Sequence, residues 1–335
     1  MSSIAELAQV KDQPLSAEQT EKLFDRIFGG ELSEGELRAY LEATAERRPT
    51  VPELVGAARS MRAHMRIVEA PEGAIDLCGT GGDGHGTLNI STAVSFVVAA
   101  AGVPVAKHGN RAASSKSGAA DILEALGAKI GLEPDAAARV LADTGIVFLF
   151  AQTHHPAMKH VAAVRAQIKR RTIFNLLGPL ASPARVTRQL VGIFSPDWLT
   201  PYAQVLKALG SKQAMIVHGM DGLDEVSSTA VTYVAALSQG EITRGQITPE
   251  DAGLKRAALA DLKGGSAAEN AVRLKALLTG ESGAYRDIVL LNAAAALMVA
   301  GRAQDIMAGM ALAGRALDSG AASAKLDEMI AASNR

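Results

Sequence analysis

The chain has 335 residues, 48% of them hydrophobic and 21% charged, enough for one large domain or a large one with a smaller companion. Its 34 Lys and Arg against 35 Asp and Glu leave a formal net charge of -1, which excludes a global field for nucleic acid, a membrane surface or a polyanion. Any anion must therefore be held by a local site. The single cysteine, Cys78, excludes an intrachain disulfide, argues against a cysteine metal site and fits a reducing compartment.

The first residues, MSSIAELAQVKDQPLSAEQ, lack the basic start and apolar core of a signal peptide. The longest apolar run, Ala93 to Ala106, is too short to span a bilayer and contains Gly102 and Pro104. The expectation is a cytoplasmic protein without a membrane partner. Residues 1–70 read as short helices. Ser16 caps the first, which repeats Leu23, Ile27 and Phe28 at helical spacing and stops at Gly29-Gly30. Ser33 and Thr50 cap the next two, with Pro52 early in the third. No phosphate loop or catalytic cluster lies there, so the segment reads as a helical packing or dimerisation unit.

From about residue 72 the pattern changes to short apolar runs that end in glycine-rich or polar loops, each followed by an Ala-rich helical stretch. AIDLCGT, VPVAKHGN, GIVFLFA, QLVGIFS and QAMIVHGMDG are the runs. Buried strands alternating with helices predict an α/β domain with a mostly parallel central sheet flanked by helices. Such sheets bind ligands at the carboxyl ends of their strands. Thr172 to Ala184 interrupts the alternation and reads as a crossing between two domains, and the last third reads as helical cover.

Three of the loops carry chemistry. The first, after Asp76-Leu77-Cys78, matches G-x-G-x-x-G at Gly79, Gly81 and Gly84. Glycine lets backbone N–H groups approach an anion closely. A dinucleotide fold, however, needs the helix to start within the motif and an acidic residue about 20 residues on. Here the helix waits until NISTAVSFVVAAAG and the second strand ends in Lys107-His108, so a dehydrogenase is disfavoured. A Walker A loop fails because Thr87 follows Gly86 where Lys is required. Asn89, Ser91 and Thr92 stand where that helix starts, in excess of what capping needs, which suggests a polar ligand. The second loop, Lys107 to Gly127, interleaves Lys107, Arg111 and Lys116 with Gly109, Asn110, Ser114, Ser115 and Ser117 ahead of a helix from about Gly118. Cations among hydroxyls at a strand-to-helix turn signal a multiply charged phosphate. The third, His218 to Ser227, holds adjacent acids Asp224 and Glu225, which suit Mg²⁺ shared with substrate phosphates; adjacent surface acids are also common.

Between the second and third loops, His154, His155 and His160 invite a zinc reading, but H-E-x-x-H is absent and positions five apart do not face together. No G-x-S-x-G elbow marks a serine hydrolase. Arg165 falls on a helix nearby, where a guanidinium can grip a carboxylate or form a surface salt bridge.

GTGGDG, NIST, KHGNRAASSKSG, HHPAMKHV, RTIFNLLGPL and DGLDE, in this order, closely resemble the anthranilate phosphoribosyltransferase family. The resemblance implies a small all-helical domain, residues 1–71 joined in space by roughly 166–186, and a larger α/β domain, 72–335. It also implies a homodimer and a Mg²⁺-dependent transfer of phosphoribosyl from phosphoribosyl pyrophosphate to anthranilate, in tryptophan biosynthesis. By position it gives Gly79, Gly82, Asp83, Thr87, Asn89, Ile90, Ser91 and Thr92 to phosphoribosyl pyrophosphate, together with Lys107, His108, Gly109, Asn110, Arg111, Ala112, Ala113, Ser114, Ser115 and Ala119. At position 119 the family often has Ser, so a hydroxyl contact is lost there. Ser91, Asp224 and Glu225 would hold Mg²⁺, and Gly79, Asn110 and Arg165 would contact anthranilate. His108, with the segment around His155 and Pro179, would line its path, and Lys107, His108, Asn110 and Arg165 form the implied catalytic set. A pyrimidine-nucleoside phosphorylase and a nucleic-acid-binding relative without catalysis are the alternatives. Net charge -1 and 4% aromatics speak against the second.

Overall fold

The structure is a computed structural model that describes residues 7–112, 116–168 and 170–335. Three helices open it: α1 (Ala17–Phe28), α2 (Glu34–Ala45) and α3 (Val51–Ala63). Each starts with a reciprocal capping box. Ser16, Ser33 and Thr50 accept the N–H three residues on, while the side chains of Gln19, Glu36 and Glu53 reach back to the cap. Helix α1 buries Leu23, Phe24, Ile27 and Phe28 on one side, as the spacing predicts. The Phe24 ring meets Phe28, Tyr40 and Phe174 at centroid distances of 5.7, 5.9 and 5.5 Å. Phe174 comes from far along the chain, and with Ile173, Leu176, Leu177, Leu180 and Ala181 it packs into this helical core, whereas Ala184 and Val186 join the other one.

The rest of the chain alternates strands and helices: β1 (Ile75–Gly79), α4 (Ile90–Ala100), β2 (Val105–Gly109), α5 (Ala119–Ala125), α6 (Pro134–Thr144) and β3 (Ile146–Phe150). Then come α7 (Ala151–His154), α8 (Lys159–Gln167), α9 (Phe174–Leu177), β4 (Arg188–Gly192), α10 (Leu199–Ala208) and β5 (Gln213–Gly219). The chain closes with β6 (Thr232–Ser238), β7 (Glu241–Ile247), α11 (Ala267–Leu278), α12 (Ala284–Val299), α13 (Ile306–Asp318) and α14 (Ala321–Ser333). The sheet order is β3-β2-β1-β4-β5-β6-β7. β1 to β5 are parallel, as expected, and β6 and β7 are added antiparallel.

That last hairpin is absent from the sequence reading. Its outer strand β7 is largely exposed, so it carries no apolar run to betray it. The usable signal is its two-residue turn, where Gln239 and Gly240 have φ of 51° and 78°, the positive values a tight hairpin needs.

The two faces of the sheet serve different cores. Leu190, Met215 and Val217 pack into the main core with α4, α11, α12 and α14. Val191, Ile193, Ala214 and Ile216 point the other way and join the helical unit through α10. The strand ends are thereby fixed between two packed layers, and the loops that leave them inherit that rigidity.

Candidate active site

β1 runs to β2 and β3 on one side, whereas β4 returns beside β1 on the other, so the order reverses between β1 and β4. The crevice outside the carboxyl ends of strands at such a reversal is where open α/β sheets bind ligands. The glycine loop leaves β1 at this point. Gly81 and Gly82 adopt φ of 66° and 81°, a left-handed conformation that side chains disfavour. The Thr80 N–H donates to the Gly192 carbonyl at 2.9 Å, which ties the loop to β4.

The acidic loop after β5 packs onto both glycine-terminated strands. A Cβ at Gly79 would lie 2.5 Å from Asp224 Oδ2, and one at Gly192 would lie 1.5 Å from the Asp224 carbonyl oxygen. Only glycine at these two strand ends lets the acids come so close. Asp224 Oδ2 accepts the Gly81 N–H at 2.8 Å, so the first and third loops meet directly. Burial, then repulsion from Asp83, pushes the Asp224 carboxyl up to about 6. Burial and repulsion from Asp224 push Glu225 up to about 8.

Helix α4 begins at the same place. Ile90 and Thr92 are buried, and Ser91 is half-buried. Asn89 occupies the cap position, but its side chain does not cap the helix as the sequence suggested. It donates to the Ser117 carbonyl at 3.2 Å and accepts from Asn270 at 2.9 Å, linking the first loop to the second and to α11. The helix start is thus left without a cap from Asn89: the Ile90 N–H donates to the Leu88 carbonyl at 2.8 Å and the Ser91 N–H meets the Glu225 carboxyl, which joins the first loop to the third.

Lys107 is 4% exposed. Its Nζ donates to the Leu77 carbonyl at 2.5 Å and to Ser91 Oγ at 3.1 Å. Burial lowers the pKa of this ammonium, against the opposing pull of Asp76 and the acidic pair. The next residues, Gly109 and Asn110, reach the loop mouth, where Asn110 is exposed. Arg111 is turned aside: its guanidinium meets Asp121 at 3.0 Å, pairs with Glu124 and lies over Phe150. Asp121 in turn accepts the N–H groups of Ala112 and Gly118 at 3.0 and 2.8 Å, bending the loop back onto α5, whose first residue is Ala119. Ala113, Ser114 and Ser115 lie outside the described residues.

Arg165 sits on α8, half-buried, with its guanidinium 5.1 Å from the centroid of the Phe174 ring. Burial lowers its pKa, and it forms no ion pair among the described residues, which leaves the fork available. His108, His154 and His155 are buried together, with the rings of His108 and His155 5.1 Å apart. Burial holds all three below the usual imidazole range, His155 at about 4, so this patch is neutral and fits an aromatic ring better than a charged group. The Gln189 amide donates to the Pro179 carbonyl at 2.7 Å and secures the neighbouring segment.

Among the described residues, no group of three His, Cys, Asp or Glu converges as a metal site. Asp224, Glu225 and the Ser91 hydroxyl are all oxygen donors, and the crowded pair is short of positive charge. This set fits Mg²⁺, which takes few protein ligands and shares a substrate's phosphates.

Several residues that hold the site escaped the sequence reading. Arg171 donates to the Gly82 carbonyl, with its guanidinium 3.9 Å from the Phe194 ring centroid. Lys263 Nζ donates to the His85 carbonyl at 2.8 Å. Asn292 on α12 brackets Val226, accepting its N–H and donating to its carbonyl, both at 2.8 Å, and so fixes the acid loop. A fully buried amide within the apolar LLNAAAALMV was the one available signal, because such groups persist only where they are bonded.

Residues 4–65 match the helical bundle domain of a glycosyl transferase family, and residues 71–323 match the a/b domain of that family. The chain is 56% identical over 320 residues to the anthranilate phosphoribosyltransferase of Rhodopseudomonas palustris, covering 96% of this chain and 94% of that one. It is 54% identical to that of Beijerinckia indica, with 96% and 94% covered. The crystal structure of the Thermus thermophilus anthranilate phosphoribosyltransferase superposes with a TM-score of 0.94 at 40% identity over 100% of both chains. The Saccharomyces cerevisiae enzyme, in complex with phosphoribosyl pyrophosphate and Mg, superposes with a TM-score of 0.88 at 26% identity, with 99% of each chain covered.

Proposed function

The chain belongs to the anthranilate phosphoribosyltransferase family, and we infer that it transfers 5-phosphoribosyl from phosphoribosyl pyrophosphate to the amine of anthranilate, releasing pyrophosphate, as a step of tryptophan biosynthesis. The observation that carries this reading is the meeting of the acidic loop and the glycine loop at the β1–β4 reversal, with Asp224 on the Gly81 N–H. A pyrophosphate-and-metal user needs such a junction, and a phosphorylase using free phosphate does not need the acidic pair.

Breaking the bond from C1 to pyrophosphate leaves an oxocarbenium-like sugar, by analogy with glycoside hydrolysis. Two tasks follow: neutralising the leaving group and placing the nucleophile. Gly79, Gly82, Asp83 and Thr87, the start of α4 from Asn89 to Thr92, and the Lys107–Ser115 loop with Ala119 hold the donor, with Lys107 as its cation while the Arg111 guanidinium stays with Asp121 and Glu124. Asp224, Glu225 and Ser91 hold Mg²⁺, which supplies positive charge to the departing pyrophosphate. Arg165 clamps the anthranilate carboxylate while Gly79 and Asn110 contact the ring substrate, so that the amine faces C1. His108, His155 and Pro179 line the approach. An aromatic amine is unprotonated at neutral pH, so no strong base is required and none is present in the assigned set.

The helical unit 1–71, joined by 166–186, and the α/β unit 72–335 then form two lobes with the acceptor between them. The protein acts as a homodimer in the cytoplasm in this reading, without nucleic acid or membrane. Purified protein with Mg²⁺ and phosphoribosyl pyrophosphate consumes anthranilate, followed as loss of its fluorescence; no turnover at high enzyme concentration contradicts the assignment. Arg165→Ala raises the anthranilate KM by about a hundredfold and leaves the donor KM within a factor of about 3. Equal changes in both would remove Arg165 from the acceptor site.

A further inference from the structure

Neighbouring strands in this sheet differ in how far their ladders run. β1 and β4 pair over five residues, from Ile75–Arg188 to Gly79–Gly192, and β2 and β3 also pair over five. β1 and β2 pair only once, at Ile75–Val105. Beyond that point the backbone groups of the two strands find side chains instead of one another. The His108 N–H donates to Asp76 Oδ1 at 2.9 Å, and the Leu77 carbonyl accepts from Lys107 Nζ. The interruption falls on the stretch of β2 that carries Lys107, His108 and Gly109 and leads into Asn110. A regular ladder would fix these residues through the backbone alone. Here their placement against the glycine loop depends on two charged side chains.

Asp76 is fully buried, yet nothing in the proposed reaction uses it. A buried carboxylate is costly unless hydrogen-bonded and matched by charge. Asp76 has them on one side only: Oδ1 accepts the His108 amide and the buried Lys107 ammonium opposes the cost of burial, while Oδ2 has no hydrogen-bond partner among the described residues. Lys107 also reaches Ser91 Oγ at the head of α4. A chain of contacts therefore runs from Asp76 through β2 to the first turn of α4, joining two of the three ligand loops from beneath.

We propose that Asp76 is a positioning residue for the donor site: its carboxylate replaces the missing β1–β2 ladder, sets His108 and Lys107 against the glycine loop, and so shapes the cradle for a pyrophosphate-bearing ligand. It touches no substrate itself. The proposal rests on the donor-site reading of Lys107 and Ser91 above and adds a residue to it.

Calorimetric titration with phosphoribosyl pyrophosphate and Mg²⁺ tests it without requiring turnover. Asp76→Asn keeps an acceptor for the His108 N–H and removes the charge that faces Lys107. It weakens donor binding by about tenfold or more, as loss of a supporting partner commonly does, while anthranilate binding stays within about twofold. Asp76→Ala removes both links and has the larger effect. Should it fail to fold, Asp76→Asn decides. The proposal is overturned if Asp76→Asn binds the donor like the wild type, or if donor and acceptor affinities fall together in step with the melting temperature, as a purely structural role requires. Wild-type protein that binds the donor but does not consume anthranilate would sink the transferase reading and leave this test intact. Wild-type protein that fails to bind the donor sinks both.

Discussion

Two acidic sites in this protein, one buried and one half-buried, are built in opposite ways. In the helical unit, Glu53 has no exposure, but its two oxygens receive Arg47 at 2.5 and 2.8 Å and the N–H groups of Leu15 and Thr50 at 3.2 and 2.8 Å. Burial pushes its carboxyl up, and these partners outweigh burial, leaving it below its ordinary value. At the β1–β4 reversal, Asp224 and Glu225 stand side by side and form no ion pair among the described residues; Lys107 draws on Glu225 but does not offset burial and mutual repulsion, and both are held above the usual carboxylate range, at about 6 and about 8. The first arrangement is complete and stabilises a fold. The second is incomplete in the folded chain and needs something from outside, which is how perturbed groups mark a site.

The comparison predicts that substitutions at the two sites separate activity from stability. Glu225→Gln lowers turnover by about a thousandfold, or about 4 kcal/mol of transition-state stabilisation. Its melting temperature stays level or rises, because a like-charge contact is relieved. Glu53→Ala does the reverse: leaving Arg47 half-buried and unpaired costs about 3 kcal/mol of unfolding free energy, while the folded fraction keeps its wild-type kcat. Urea unfolding and steady-state rates on both variants check the pair, and loss of stability at Glu225 equal to that at Glu53 would break the comparison.

A smaller effect concerns the neutral imidazoles. His155 titrates near 6.5 when unfolded but is lowered to about 4 in the fold, chiefly by burial and then by His154. Between those values the unfolded chain binds more protons, so stability falls as pH drops from 6.5 to 4 and is fully present above that window. The shift corresponds to about 3 kcal/mol at most. His155→Gln should flatten this part of the stability curve against pH, measured by urea unfolding at pH 7 and 4.5. An unchanged slope would show that His155 is not buried neutral. Asp76, raised to about 6, contributes with the opposite sign across lower pH and is common to both proteins, so the difference between them isolates the histidine.

Much of this was legible in the sequence, for physical reasons. Ser16, Ser33 and Thr50 announce their helices because capping is local chemistry. Gly79 and Gly81 announce a loop because only glycine tolerates that backbone and that approach. The parallel strands are buried on both faces and read as apolar runs. What stayed hidden depends on partners far along the chain: Arg171 against Gly82, Lys263 against His85, and Asn292 against Val226. β7 stayed hidden because an exposed edge strand has no apolar pattern. The position of Arg111 also lay beyond the sequence, since its spacing to Gly109 and Ser115 suggested a phosphate ligand and only the fold shows Asp121 and Glu124 beside it.

The central claim is that the acidic pair is completed by Mg²⁺ and the donor, whereas Glu53 is already complete. Thermal melting with and without Mg²⁺ plus phosphoribosyl pyrophosphate measures this directly, because a ligand that binds the folded state raises its melting temperature. The account predicts a clear rise for the wild type, the same rise for Glu53→Gln from a lower baseline, and none for the Asp224→Asn, Glu225→Gln double variant. A rise in the double variant equal to that of the wild type would contradict it.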